Sequence, residues 1–92
     1  MEKDYKKYAS MMKALSDETR IKIFDMVVKE ELCACKLLEE FSITQPTLSY
    51  HMKILCESGL VQVRKDGVWM RYSVSEEGLE CMRKFFREGG CE

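Results

Sequence analysis

The stretch Thr44–Leu60, TQPTLSYHMKILCESGL, decides the fold. Thr44 stands where an N-cap is needed, with an oxygen able to accept from the unpaired N–H groups of the first turn. Pro46 lies in that turn, where its missing N–H costs nothing. Leu48, Met52 and Leu55 fall at i, i+4 and i+7 and predict one buried stripe. Ser58-Gly59 predicts the end, with Gly59 in the left-handed conformation. The other face carries Gln45, Ser49, Tyr50, Lys53 and Cys56: hydrogen-bonding groups, a cation and few acids. Such a face suits the major groove of DNA, where donors and acceptors distinguish all four base pairs.

The flanks supply the rest of a small domain. Tyr5, Tyr8, Met12 and Leu15 predict a helix over about 4–15. In LSDETRIKIF, Ser16 is the expected N-cap and Asp17 and Glu18 suit the positive end of the helix dipole. Ile21, Phe24 and Val28 are the expected apolar stripe. The stretch Glu31–Phe41, ELCACKLLEEF, predicts a third helix with Leu37, Leu38 and Phe41 inward. Downstream, LVQVRKDGVWMRYSV predicts a β-hairpin turning at Asp66-Gly67. That turn would set Lys65 opposite Val68, Arg64 opposite Trp69, Val63 opposite Met70 and Gln62 opposite Arg71. Alternation then places Val61, Val63, Met70, Tyr72 and Val74 on the core side. Gln62, Arg64, Trp69, Arg71 and Ser73 form a basic, aromatic outer side. A last helix, about 76–87, carries Leu79, Met82 and Phe86 on one stripe.

The order α-α-α-α-β-β-α is that of a winged helix-turn-helix: mostly α, with a small β-hairpin as the wing. The expected organisation is one domain over 1–92, with the helix-turn-helix at 34–58 and the wing at 61–74. A chain of 92 residues buries only about 60–70% of its unfolded surface, so a dimer would stabilise it. Charge is uneven: residues 42–74 hold four Lys/Arg against two Asp/Glu, while the whole chain is net −1. No apolar run approaches the roughly 18–20 residues of a membrane span. The first ten residues read as lacking a signal-peptide core, so a cytoplasmic location is expected. Five cysteines would there stay reduced. An enzyme is disfavoured: there is one His, no phosphate-cradling Gly loop, no nucleophile elbow, and a CxC where a redox motif has CxxC. A winged helix that binds proteins instead of DNA is the competing reading of the fold; steeply salt-dependent duplex binding would discount it.

The segments ALSDETRIKIFDMV, ELCAC, SITQPTLSYHMKILCESGLV and RKDGVWMRYSV together resemble the ArsR/SmtB family of metalloregulatory repressors, nearest to its arsenite-responsive type. The resemblance runs from about Leu15 to Ser75, with Thr44 where the common form has Ser. It implies a homodimer joined through the first and last helices and bound to a palindromic operator. By position it implies DNA contact by Thr44, Gln45, Thr47, Ser49, Tyr50, His51 and Lys53, and by Arg64, Lys65 and Arg71 of the wing. For His51 a packing or capping role is the alternative. It implies no permanent cofactor; arsenite or antimonite is the inducer, taken up by Cys33 and Cys35.

The chemistry of those thiols agrees. Thiolates are soft ligands that select soft ions, and a helix N-terminus lowers a thiol's pKa. On an intact helix, however, positions i and i+2 point about 200° apart. Ligand capture is therefore expected to unwind the start of the third helix and misalign the reading helix behind it. The family's three-thiol form has Cys where this chain has Leu38. Either the site is two-coordinate or a third sulfur comes from elsewhere, Cys91 first and Cys56 second, with Cys81 packed in the core. The last helix has no His, so a zinc site there is not expected. Sensing of cadmium or lead, or of oxidants or persulfide through the same thiols, is the alternative.

Overall fold

A computed structural model describes residues 4–88 of the chain. The element order is α1 (Tyr5–Ala14), α2 (Glu18–Lys29), β1 (Leu32–Cys33), α3 (Ala34–Glu40), α4 (Gln45–Glu57), β2 (Val61–Asp66), β3 (Trp69–Val74) and α5 (Glu76–Glu88). The fold is a winged helix-turn-helix, mostly helical with a small antiparallel sheet. The helix-turn-helix is α3–α4 and the wing is β2–β3. The expected Cys91 lies outside the described residues.

Helices α1, α2 and α4 start where a side chain satisfies one of their first N–H groups; α3, which follows Cys33, has no such side-chain cap. Asp4 accepts from the Lys7 N–H at 3.0 Å. The cap of α2 is Asp17, which accepts from the Arg20 N–H at 3.1 Å, and not Ser16. Ser16 is occupied at the other end of the turn, where its hydroxyl donates to the Lys13 carbonyl at 2.7 Å. Thr44 caps α4 as expected, accepting from the Thr47 N–H at 3.3 Å.

The core is Met11, Ala14, Ile23, Val27, Leu37, Leu48, Met52, Leu55, Leu60, Val61, Tyr72 and Met82. The α4 stripe is as the spacing predicts. The α2 stripe is not: Ile23 and Val27 are buried, Phe24 is half-buried, and Ile21 is 50% exposed. Apolar residues cover more than half the circumference of IKIFDMVV, so periodicity alone leaves the rotation open. Arg20 sets it. Its Nε donates to the Ala14 carbonyl at 2.8 Å, which turns the face shared by positions 20, 23 and 27 inward.

The sheet has three antiparallel strands in the order β1-β3-β2. Val61 pairs with Val74, Val63 with Tyr72, Arg64 with Arg71, Lys65 with Met70 and Asp66 with Trp69. The turn is thus Gly67-Val68, two residues of register away from the sequence expectation. Of the two turn residues only Gly67 has positive φ, at +65°, so the turn needs glycine only at its first central position, the II′ pattern. A shift of two keeps every side chain on its expected face. The wing outruns the core, however, so Val63 and Met70 are exposed while Val61 and Tyr72 are buried.

The third residue of α5, in its first turn, lies against the chain that leaves α4. Gly78 is buried, and a Cβ there would collide with the Gly59 carbonyl. Its N–H is held by the Ser75 hydroxyl at 3.1 Å. Farther on, Leu79 is half-buried and Met82 buried, but Phe86 is 69% exposed, so the expected inward stripe stops one turn early. Tyr8 of α1 and Phe85 of α5 stack at 4.6 Å between centroids.

Candidate nucleic-acid interface and thiol site

With Leu48, Met52 and Leu55 fixed in the core, α4 presents Gln45, Thr47, Ser49, Tyr50 and Lys53 to solvent. Thr44 and Thr47 are also joined through their hydroxyls at 3.0 Å. Cys56, expected on this face, is instead half-buried and packed against the core. His51 is half-buried as well, with Nδ1 3.1 Å from Arg20 Nη1. A guanidinium only donates, so Nδ1 accepts and the ring proton belongs on Nε2. One ring nitrogen thus braces α4 against α2. The same Arg20 backbone N–H, together with the nearby guanidinium, holds the Asp17 carboxyl below its ordinary pKa.

A cleft of about 630 Å³ continues from Tyr50 and Lys53 onto α1, where Lys6, Ser10 and Lys13 line its other wall. Lys6 and Lys13 lie one heptad apart in the sequence, and the expected DNA contacts did not include them. The cue was available, because Tyr8 and Met12 fix the opposite side of α1 as the packed one.

The wing arginines are engaged. Arg64 grips Glu31 with two parallel bonds, Nε to Oε2 at 3.0 Å and Nη2 to Oε1 at 2.9 Å. Arg71 Nε donates to Asp66 Oδ2 at 3.0 Å, and Asp66 also lies 4.0 Å from Arg64 Nη1. Hydrogen bonding to Arg64 lowers the Glu31 pKa and, reciprocally, raises that of Arg64. Lys65 is exposed beside them. Glu31, as the partner of a candidate wing contact, is one that sequence reasoning missed. It read as an ordinary helix residue, and nothing local marks its partner 33 positions away.

Cys33 and Cys35 are not on one helix. The third helix begins at Ala34, three residues later than expected. Cys33 is its N-cap, with an extended backbone (φ −82°, ψ 159°), and is the last residue of β1. The Cα atoms are 5.4 Å apart and the two sulfurs are joined as a disulfide. The expectation that the helix must unwind for them to meet is therefore corrected. The chain already bends between strand and helix, and the sulfurs converge with α3 intact. Cys35 is exposed and Cys33 half-buried, so this sulfur pair is open to solvent. Through β1, Leu32 pairs with Tyr72 and Cys33 with Arg71, which stitches the pair to the wing. Cys56 and Cys81 are free and half-buried. Burial raises the Cys56 pKa, with Glu57 adding to it. Among the described residues no three His, Cys, Asp or Glu side chains gather as a metal site. The donor set fits a soft ion bound by two sulfurs, with further donors from elsewhere.

Residues 17–63 match the family described as bacterial regulatory protein, arsR family. The chain is 46% identical over 76 residues to the arsenical resistance operon repressor of Staphylococcus xylosus, covering 83% of this chain and 73% of that one. It is 52% identical over 63 residues to the repressor of the same description in Staphylococcus aureus, covering 68% of this chain and 61% of that one. Among solved structures, HlyU from Vibrio cholerae N16961 superposes over all of both chains with a TM-score of 0.79 and 29% identity. A reading helix capped by Thr44, a two-stranded wing and this match over half the sequence have one common explanation: the chain belongs to the arsR family of bacterial regulatory proteins and is a transcriptional regulator, not an enzyme.

Proposed function

We propose that the protein is a transcriptional repressor that binds operator DNA as a homodimer and is released when Cys33 and Cys35 capture arsenite or antimonite. The observation that carries this reading is the convergence of the two sulfurs at the joint between β1 and α3. That joint touches both DNA-binding parts: α3 is the first helix of the helix-turn-helix, and β1 is paired to the wing. Relatives described as arsenical resistance operon repressors support the choice of ion.

In this reading Gln45, Thr47, Ser49 and Tyr50 reach base edges, while Thr44, His51, Lys53, Arg64, Lys65 and Arg71 meet phosphates or fix the geometry. The inducer reacts by exchange. Two thiols and arsenous acid give a dithiolate with one hydroxyl left on arsenic, and two waters leave. A third sulfur, from Cys91 or less favourably Cys56, would displace the last hydroxyl as a third water. Bridging Cys33 to Cys35 fixes the angle between β1 and α3, and DNA binding requires a different one. Thermodynamic linkage then makes DNA oppose the ion as much as the ion opposes DNA. Tyr5 at 70% and Phe86 at 69% exposure, flanking the Tyr8–Phe85 stack, support α1 and α5 as the dimer face. The expected cytoplasmic setting follows from this role.

The Cys33–Cys35 bond favours one second reading, an oxidant sensor. Here hydrogen peroxide takes two hydrogens from the two thiols and leaves as two waters. Release of a duplex selected from a random pool, titrated with arsenite, antimonite, cadmium, zinc and peroxide, separates the two. Reduced parent protein should respond to arsenite and antimonite. Cys33→Ser/Cys35→Ser should lose the response and keep DNA affinity. A double variant that still responds to arsenite contradicts the site assignment, and a parent that answers peroxide alone selects the oxidant reading.

A further inference from the structure

Glu31 carries a second inference, which rests on the repressor reading above. Its carboxylate occupies Nε and Nη2 of Arg64 at 3.0 and 2.9 Å. That edge of a guanidinium is also the one that grips a phosphate with two parallel bonds. Arg64 cannot offer it to both. Glu31 immediately precedes β1, and Cys33 ends β1 directly opposite Arg71. Arg71 in turn sits opposite Arg64 across the wing ladder. The carboxylate, the strand that carries Cys33 and both wing arginines are therefore linked through the Glu31–Arg64 bonds and the strand ladder. Two like charges facing each other in a ladder repel. Each is held by an acid, Arg64 by Glu31 and Arg71 by Asp66 at 3.0 Å. Only Glu31 lies next to the strand that carries a thiol.

We propose that Glu31 is the coupling residue between the thiol site and the wing: it competes with DNA phosphate for Arg64, and an ion bridging Cys33 and Cys35 holds it in place. The bridge ties the end of β1 to α3, so β1 no longer swings aside with Glu31 when a phosphate approaches. In the ion-free protein only the ladder to β3 and the adjoining chain hold β1, and a phosphate displaces the carboxylate. Removing the charge at position 31 therefore has two effects. It frees Arg64 for DNA, and it cuts one route by which the ion expels DNA.

The test uses the full reduced chain as parent, Glu31→Gln, Glu31→Ala and Asp66→Asn. Binding to the selected duplex is followed by fluorescence anisotropy across a salt series, with and without arsenite. Both Glu31 variants should bind several-fold more tightly. The slope of log affinity against log salt should steepen by about 0.9, the value for one added phosphate contact. Their arsenite-induced loss of affinity should be several-fold smaller than the parent's. Asp66→Asn should also bind more tightly, yet keep the parental arsenite response, because Asp66 is not joined to β1. Glu31 variants with parental affinity, slope and response overturn the coupling while leaving the repressor reading intact. An equal loss of response in Asp66→Asn overturns the specific role of Glu31. A parent that arsenite does not release overturns the sensor reading, and the coupling falls with it.

Discussion

Cys35 is exposed and Cys33 half-buried, whereas Cys56 and Cys81 lie half-buried against the core. Environment thus separates thiols that look alike in the sequence. Burial raises the Cys56 pKa, which favours the neutral thiol over the thiolate that binds metals and attacks electrophiles. The sign for stability follows. A thiol whose folded pKa exceeds its unfolded value stabilises the fold fully below the unfolded value, about 8.5. That contribution is lost as pH rises through the folded value. In reduced protein at pH 8, iodoacetamide should modify Cys35 before Cys56, read by peptide mass spectrometry. Equal rates would contradict the burial argument. At this scale the sequence marked the CxC pair and the exposed α4 residues, because spacing and residue type were enough. It did not mark Arg20, which joins the Ala14 carbonyl to His51, or Glu31, which clamps Arg64. Those roles depend on partners brought close by folding, and no local pattern encodes them.

Among the elements, α4 and the wing were the most legible, since a cap, a helical stripe and a Gly-centred turn are all short-range signals. The strand β1 was invisible. Two residues carry no period, and Leu32 and Cys33 extend only because β3 offers them a ladder. Missing it placed Cys33 on a helix and produced the unwinding expectation that the structure corrects. The hairpin register slipped for a related reason. Asp66-Gly67 satisfies the commonest two-residue turn, but a turn with Gly first and Val68 second is also allowed. The slip was even, so the assignment of faces survived. Gly67 has φ of +65° and open space around its Cα, so alanine there pays for conformation and not for a clash. Gly67→Ala should destabilise the chain by about 1–2 kcal/mol in urea unfolding and loosen the wing. An unchanged midpoint would show that the turn tolerates another conformation.

The described part of the chain measures 44 × 24 × 19 Å, and no helix in it is long and apolar enough to cross a membrane. Its long dimension and its exposed aromatics suit pairing with a second copy. Phe86 is exposed and edge-on to Phe85, which stacks on Tyr8, so α1 and α5 share an aromatic cluster that reaches solvent. Phe86→Glu should leave urea stability of the monomer within about 0.5 kcal/mol and shift sedimentation from dimer to monomer. It should also weaken operator binding, because one protomer then meets one half-site. A variant that stays dimeric would move the interface elsewhere.

The central claim is that sulfur capture at the β1–α3 joint and DNA binding by α4 and the wing exclude one another. Linkage makes that claim measurable from the ion's side. Arsenite affinity of the reduced protein should be titrated twice, once alone and once with saturating operator duplex. The account predicts weaker arsenite binding on DNA, by the same factor by which arsenite weakens the DNA complex. Equal arsenite affinity with and without operator would contradict it.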